Sequence, residues 1–109
     1  MNAKEFRQIS NVSRETFEKL LAYVELLLKW QSKINLVGKN TVGDLWGRHM
    51  LDSIQIKKWI PNETNIITDL GSGAGFPGLV LAIVCGKTVH LIEASKKKSA
   101  FLREAARIT

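Results

Sequence analysis

A glycine-rich segment at residues 69–78 constrains the fold of this chain more than any other feature. The segment reads DLGSGAGFPG and directly follows the apolar run that begins at Ile66. Glycine suits a chain that reverses above the end of a strand, because such a turn visits positive φ and because backbone without a Cβ lets a ligand approach closely. The pattern predicts a strand, a tight turn and a helix, with a ligand-binding crevice above the turn.

The sequence on both sides of this turn alternates between strand and helix patterns. Residues 66–70 and 89–92 are short apolar runs that predict strands, the first of them buried, and residues 77–85 predict a helix that begins at a proline and stops at the following glycine. Ser95 is a suitable N-cap for a further helix, which extends to about residue 108. Its expected inward side chains are Phe101, Leu102, Ala105 and Ile108. This order of elements predicts an α/β unit with parallel strands.

The first 60 residues have a helical pattern instead. Ser13 is a suitable N-cap, and the apolar side chains that follow at helical spacing are Phe17, Leu20, Leu21, Val24, Leu27 and Leu28. A second helix is predicted from Thr41, with Asp44 in a near-capping-box position, and Pro61 stops it. Its expected inner face consists of Val42, Leu45, Trp46, His49, Met50 and Ile54. We expect all three tryptophans, Trp30, Trp46 and Trp59, to pack against the protein rather than to stack on bases.

The two predicted strands are too few for a complete sheet. Parallel sheets are normally buried on both faces, and two strands do not close a core alone. The sequence also ends at Thr109 without a terminating signal after the last predicted helix. We therefore expect the chain to be the front part of a larger α/β domain.

Composition limits the classes of function. The chain has 16 Lys and Arg residues against 10 Asp and Glu residues, a net charge of +6, which favours a nucleic-acid or ribosome partner but also fits a solvated basic surface. We expect neither a membrane span nor a secretory signal, because no apolar run is long enough. The single cysteine, Cys85, fits a reducing cytoplasm, and its apolar neighbours predict a buried and unreactive thiol.

Two ligand classes use a turn of this kind. Gly73, Gly75 and Gly78 satisfy the Gly-x-Gly-x-x-Gly spacing of dinucleotide-binding domains. However, the turn begins at Gly71, and the carboxylate of Asp69 suits a cationic sulfonium better than a pyrophosphate. An S-adenosylmethionine site also needs a second carboxylate at the end of the next strand. Glu93 occupies that position and could accept hydrogen bonds from both ribose hydroxyls. A tight turn with no ligand is the third alternative.

Two further groups of polar residues are candidates for function. The segment RHMLDS on the second predicted helix supplies Arg48, His49, Asp52 and Ser53 as candidate catalytic residues. Arg48 and Asp52 are spaced to form an ion pair on one helix face, so the group is either a surface pair beside a half-buried histidine or a polar cluster under the ligand pocket. The RNA-binding candidates on the last helix are Lys96, Lys97, Lys98 and Arg103. A solvated helix face is the alternative for these four.

Residues 48–53 followed by residues 69–78 closely resemble the bacterial small-subunit ribosomal RNA methyltransferase G family, also called the glucose-inhibited division protein B family. The segment WQSKINL at residues 30–36 matches the same family, and the resemblance covers nearly all of residues 17–108. It implies an α/β fold of the Rossmann-like, class I S-adenosylmethionine-dependent methyltransferase type. Residues 1–62 would form an N-terminal helical extension, and residues 63–109 the first half of the methyltransferase domain, which is truncated after its second strand and helix.

The resemblance also implies an activity and a pocket. The reaction would be methylation of N7 of one guanine in the decoding region of 16S rRNA. By the family's pattern, Gly71 and Phe76 contact S-adenosylmethionine, and Asp69, Gly73, Gly75 and Glu93 complete the pocket. The expected partner is 16S rRNA in the small ribosomal subunit, in the cytoplasm, with a monomeric full-length enzyme and no metal. Family members extend further and add an acidic segment that contacts adenine and an arginine that contacts the cofactor.

The implied chemistry needs no catalytic triad. Guanine N7 has a free lone pair, so alignment of donor and acceptor and exclusion of water account for the rate. Two rivals stay open from the sequence. One is a non-catalytic RNA-binding or ribosome-binding remnant of such an enzyme, and the other is a nicotinamide-dinucleotide domain.

Overall fold

A computed structural model describes residues 1–109, which form five α-helices and two strands. In chain order the elements are α1 (Ala3–Ser10), α2 (Arg14–Gln31), α3 (Asp52–Gln55), β1 (Ile66–Leu70), α4 (Gly78–Cys85), β2 (Thr88–Ile92) and α5 (Lys96–Ile108). The short α3 is preceded by a 3-10 turn, Val42–Asp44, and a π-helical turn, Trp46–Leu51, and is followed by a 3-10 turn, Ile56–Trp59. None of the helices is both long and apolar enough to cross a bilayer.

Local capping explains where most helices begin and end. The side chain of Ser13 accepts a hydrogen bond from the backbone N–H of Thr16, and Ser95 accepts one from the N–H of Lys98, so both predicted N-caps are confirmed. Helix α4 has Pro77 at its N-cap, and it stops at Gly86, where φ is +66°. Asn2 begins the separate helix α1 with a capping box.

The helix predicted from Thr41 is not continuous, and its predicted cap is wrong. Thr41 makes no capping bond, and its hydroxyl donates to the carbonyl of Gly38 instead. The hydroxyl of Ser53 donates to the carbonyl of His49 at 2.7 Å, a back-bond that competes with regular helix geometry. The turn around His49 is accordingly π-helical. The predicted stop before Pro61 is confirmed.

The sheet consists of β1 and β2, which pair in parallel with Ile66 opposite Thr88 and Leu70 opposite Ile92. Both predicted strands are confirmed, although β2 begins one residue earlier than predicted. The prediction that the first strand is buried is wrong, because its residues are half-buried on one face and exposed on the other. Helices cover the side of the sheet that carries Asp69 and Leu91, whereas Leu70 on the opposite side is 78% exposed.

One cluster of 16 buried residues fills the space between the helices and the sheet, and it draws side chains from α1, α2, α4 and α5. Within α2 the buried side chains are Leu20, Tyr23, Val24 and Leu27. Since residues on both sides of position 62 share this cluster, the division into residues 1–62 and 63–109 stays a prediction.

Several predicted core residues lie elsewhere. Leu21 and Leu28 lie beside the buried stripe of α2 and are exposed, because the stripe is centred near Tyr23 and Leu27. Trp59 is 76% exposed, so the expectation that it packs is wrong, whereas Trp46 is buried and Trp30 packs against Phe101.

The ends of two helices are also less buried than predicted. Cys85 is a free thiol and half-buried rather than buried, because it occupies the last turn of α4 beside the exposed Gly86. Ile108 is exposed at the end of α5, where the packed part of the helix ends at Ala105.

Candidate functional site

The glycine-rich turn lies at the carboxyl ends of both strands. The backbone N–H groups of Gly71 and Ser72 donate to the carbonyl of Ile92 at 2.8 and 3.0 Å, which fastens the turn to the end of β2. Gly71, Gly73 and Gly75 all have positive φ, at 73°, 55° and 100°. The predicted need for glycine at these three positions is confirmed, because side chains rarely adopt such backbone angles.

The glycines of the turn face two different environments. A Cβ placed on Gly71 or Gly73 would meet no atom within 4 Å, so these residues present bare backbone to open space. A Cβ on Gly75 would lie 2.7 Å from the hydroxyl of Tyr23, and one on Gly78 would lie 2.5 Å from Leu91. Gly71 and Gly73 therefore leave room for a ligand, whereas Gly75 and Gly78 allow close packing inside the protein.

Asp69 joins the end of β1 to the start of α4. Its Oδ2 accepts a hydrogen bond from the N–H of Gly78 at 3.0 Å, in the first turn of the helix, where a negative charge is favourable. Its Oδ1 makes no hydrogen bond within the protein. The carboxylate is thus fixed at the end of the strand by its Oδ2.

Glu93 bridges the turn and the start of α5. Its Oε2 accepts a hydrogen bond from the N–H of Ser95 at 2.8 Å, and its Oε1 accepts one from the N–H of Gly73 at 2.7 Å. These two bonds hold the pKa of Glu93 below its ordinary value, and the bond from Ser95 makes the larger contribution. Each carboxylate oxygen has a second lone pair, so the predicted ribose contact is compatible with both bonds.

The candidate catalytic residues lie beside Phe76. The ring of His49 stacks on that of Phe76 with centroids 4.9 Å apart and planes 24° apart, and its Nε2 is 2.9 Å from Oγ1 of Thr41. Partial burial lowers the pKa of His49, which favours the neutral ring at pH 7. A shallow depression brings the four candidates together; it is lined by Arg48, His49, Asp52, Ser53, Ile56, Phe76 and Pro77.

Two details of this group differ from the sequence predictions. Arg48 and Asp52 form no ion pair; the three ion pairs of the structure join other residues. The π-helical turn that contains Arg48 alters the regular helical spacing between these two side chains. Ser53 is buried, and its hydroxyl already donates to the carbonyl of His49. Arg48 and Asp52 are the members of the group whose side chains are exposed.

The predicted RNA-binding residues lie on α5, which begins immediately after Glu93. Lys96, Lys97 and Arg103 are exposed, and Lys98 is half-buried near Glu93. None of the four takes part in an ion pair. Their positive charge is therefore available to an anionic partner near the turn.

Tyr23 of α2 also contacts the turn, and the sequence patterns do not predict it. This side chain is fully buried, and its hydroxyl donates to the carbonyl of Ala74 in the turn at 2.5 Å. Burial, with a smaller contribution from the charge of Asp69, raises the pKa of Tyr23 well above its ordinary value. One sequence signal could have indicated this contact: Tyr23 is a polar aromatic residue inside the apolar stripe of α2, and a buried tyrosine hydroxyl needs a hydrogen-bond partner.

The sequence of this chain matches a known protein family. The GidB family model, described as rRNA small subunit methyltransferase G, matches residues 16–109. A ribosomal RNA small subunit methyltransferase G from Paramagnetospirillum magneticum is 56% identical over 109 residues, which are 100% of this chain and 53% of that protein. The protein of the same name from Rhodospirillum rubrum is 62% identical over 98 residues, which are 90% of this chain and 49% of that protein.

A third relative of that name, from Rhodospirillum centenum, is 53% identical over 107 residues, covering 98% of this chain and 50% of that protein. The chain thus spans about half the length of the curated relatives that it matches. With a family model that matches residues 16–109 and relatives more than half identical, the chain belongs to the rRNA small subunit methyltransferase G family.

Proposed function

We propose that this chain provides the donor-binding part of an S-adenosylmethionine-dependent methyltransferase that modifies N7 of one guanine in the decoding region of 16S rRNA. One observation carries the proposal. Asp69 and Glu93 lie at the carboxyl ends of adjacent parallel strands, on either side of a turn whose Gly71 and Gly73 face open space. Ligands of open α/β sheets bind in such a crevice. The proposed fold is the Rossmann-like class I type, with residues 63–109 as its first half and residues 1–62 as a helical extension.

The residues of the turn fit S-adenosylmethionine in shape and charge. The proposed site is formed by Asp69, Gly71, Gly73, Gly75, Phe76 and Glu93. Gly71 and Gly73 offer backbone without side chains, and Glu93 offers a carboxylate to ribose hydroxyls. Gly75, whose α-carbon faces Tyr23, contributes by shaping the turn. When bound, S-adenosylmethionine supplies a methyl group activated by a positively charged sulfur.

The chain's own residues then orient the reactants rather than exchange protons. Guanine N7 carries a free lone pair, so its methylation requires no general base, and alignment and water exclusion are sufficient. The depression formed by Arg48, His49 and Asp52 beside Phe76 is the proposed approach for the nucleotide. Arg48 is exposed there and offers a guanidinium to a phosphate.

The proposed partner is 16S rRNA in the small ribosomal subunit. Lys96, Lys97, Lys98 and Arg103 are the proposed phosphate contacts, and the net charge of +6 favours association with RNA. A cytoplasmic location and a monomeric full-length enzyme complete the proposal.

Methyl transfer to small ribosomal subunits tests the activity. Subunits that lack the modification are incubated with radiolabelled S-adenosylmethionine and either this chain or a version extended to the length of its relatives, and 7-methylguanosine is identified after nuclease digestion. The proposal predicts 7-methylguanosine at one position with the extended version. Methylation at another atom of guanine, or none with the extended version, would contradict it. Transfer by the extended version alone would show that this chain by itself does not complete the reaction.

A further inference from the structure

Tyr23 contacts the turn at Ala74, next to the residue that Glu93 binds. It lies in the middle of α2, 51 residues before Ala74, and its hydroxyl donates to the carbonyl of Ala74 at 2.5 Å in a fully buried position. A buried bond of this kind restrains the turn, because breaking it would leave the carbonyl of Ala74 without a partner.

The bond fixes one particular peptide plane. The carbonyl of Ala74 and the N–H of Gly75 belong to the same peptide group, and that N–H donates to the carbonyl of Ser72 at 2.8 Å. The plane is therefore held at both ends, by Tyr23 on its oxygen and by Ser72 on its nitrogen. Its orientation determines the path of the chain into Gly75, where φ is +100°.

The ring of Tyr23 supports the next residue of the turn. Its centroid is 5.5 Å from that of Phe76, which also stacks against His49 at 4.9 Å. Tyr23 also packs against Phe101 of α5, with ring centroids 6.2 Å apart. One side chain of α2 thus touches both the backbone and the aromatic side chain of the turn.

We propose that Tyr23 is a positioning residue for the donor-binding turn, holding the Ala74–Gly75 peptide and the ring of Phe76 in place, so that α2 is part of the cofactor site. The inference rests on the proposed function for the identity of the ligand. It extends that function because it assigns α2 a role in donor binding in addition to its role in the core. The turn is then held from two directions, by Glu93 on Gly73 and by Tyr23 on Ala74.

The test compares Tyr23→Phe with Phe101→Leu. The first variant removes the hydroxyl and retains the ring, and the second perturbs the same aromatic cluster without a polar contact to the turn. Amide hydrogen exchange is measured without ligand for Gly73 and Gly75, and for Val24 of α2 as a reference. Titration calorimetry with S-adenosylmethionine follows for both variants and the parent chain.

We expect Tyr23→Phe to speed exchange of the turn amides by about tenfold relative to Val24, and to weaken S-adenosylmethionine binding by a similar factor. Phe101→Leu is expected to change exchange in α2 and α5 at least as much as in the turn. If the parent chain binds S-adenosylmethionine and Tyr23→Phe changes neither turn exchange nor affinity, the inference is overturned and the proposed function stands. If the parent chain does not bind, the proposed function fails for this chain, and turn exchange alone decides the role of Tyr23.

Discussion

At the scale of single residues, the turn contains glycines that face open space and glycines that permit close packing. Gly71 and Gly73 combine positive φ with open space, whereas Gly78 lies where any side chain would collide with Leu91 and Asp69. The sequence predicts that all these positions need glycine, but spacing alone does not separate the two reasons. The distinction depends on which side of the turn the core occupies, and at Gly75 that side is filled by the hydroxyl of Tyr23, from a helix much earlier in the chain.

Gly73→Val is expected to abolish binding of S-adenosylmethionine, because a branched side chain would fill the space against the backbone and disfavour φ of +55°. Gly86→Val is the matched control. Gly86 also has positive φ and open space around its α-carbon, but it lies at the far end of α4. Titration calorimetry should show that the control binds S-adenosylmethionine with nearly the parent affinity. Both variants should lose about 1–2 kcal/mol of folding stability, because each places a side chain at positive φ. Equal affinities of the two variants would disprove the role of Gly73.

Gly78→Ala is expected to destabilise the fold by about 1–3 kcal/mol, because its Cβ would lie 2.5 Å from Leu91 and 2.6 Å from Oδ2 of Asp69. Gly43→Ala is the control, since a Cβ at Gly43 meets no atom within 4 Å. Urea unfolding followed by circular dichroism measures both. A stability change at Gly78 no larger than that at Gly43 would show that α4 does not approach β2 so closely.

At the scale of elements, local signals predict helix ends well and irregular helices poorly. The N-caps at Ser13 and Ser95 depend on residues within one turn, so the sequence alone is sufficient to locate them. The segment after Thr41 differs, because the hydroxyl of Ser53 bonds back to His49 within a π-helical turn. No sequence period distinguishes that turn from a regular helix.

The link between the turn and α5 is expected to depend on pH through Glu93. The pKa of this carboxyl is lowered in the folded protein, so its contribution to stability is present above the ordinary glutamate pKa and is lost as the pH falls through the lowered value. The amide resonances of Ser95 and Gly73, which donate to this carboxylate, should titrate together in that acidic range. Glu93→Gln should abolish this shared titration. Its persistence in the variant would assign it to another group.

At the scale of the whole molecule, the sheet has one covered and one exposed face. The apolar side chains on the exposed face are Ile66, Leu70 and Ile92. The sequence predicts the strands and their parallel pairing from local runs and from the intervening helix. It does not show which face the helices cover, because that depends on the direction from which α4 and α2 pack. The contact of Tyr23 with the turn is not predicted either, because it also depends on how α2 packs.

The exposed face is expected to make the 109-residue chain bind the hydrophobic dye ANS and associate with itself, since exposed apolar patches on sheets favour such contacts. Replacing Ile66, Leu70 and Ile92 with threonine should reduce dye fluorescence and association, measured by sedimentation, while retaining the strands. The matched control replaces Leu21 and Leu28, which are exposed on α2, with threonine. An equal reduction in the control would assign the association to another surface.

Binding of S-adenosylmethionine at the turn can be measured by titrating the isotopically labelled chain and following its amide resonances. We expect saturable shifts concentrated at Gly71, Gly73 and Phe76 and at Ser95, which shares the carboxylate of Glu93 with Gly73. NAD at the same concentrations should leave these resonances unchanged. Shifts produced by NAD in preference to S-adenosylmethionine, or no response of the turn to saturating S-adenosylmethionine, would contradict this expectation.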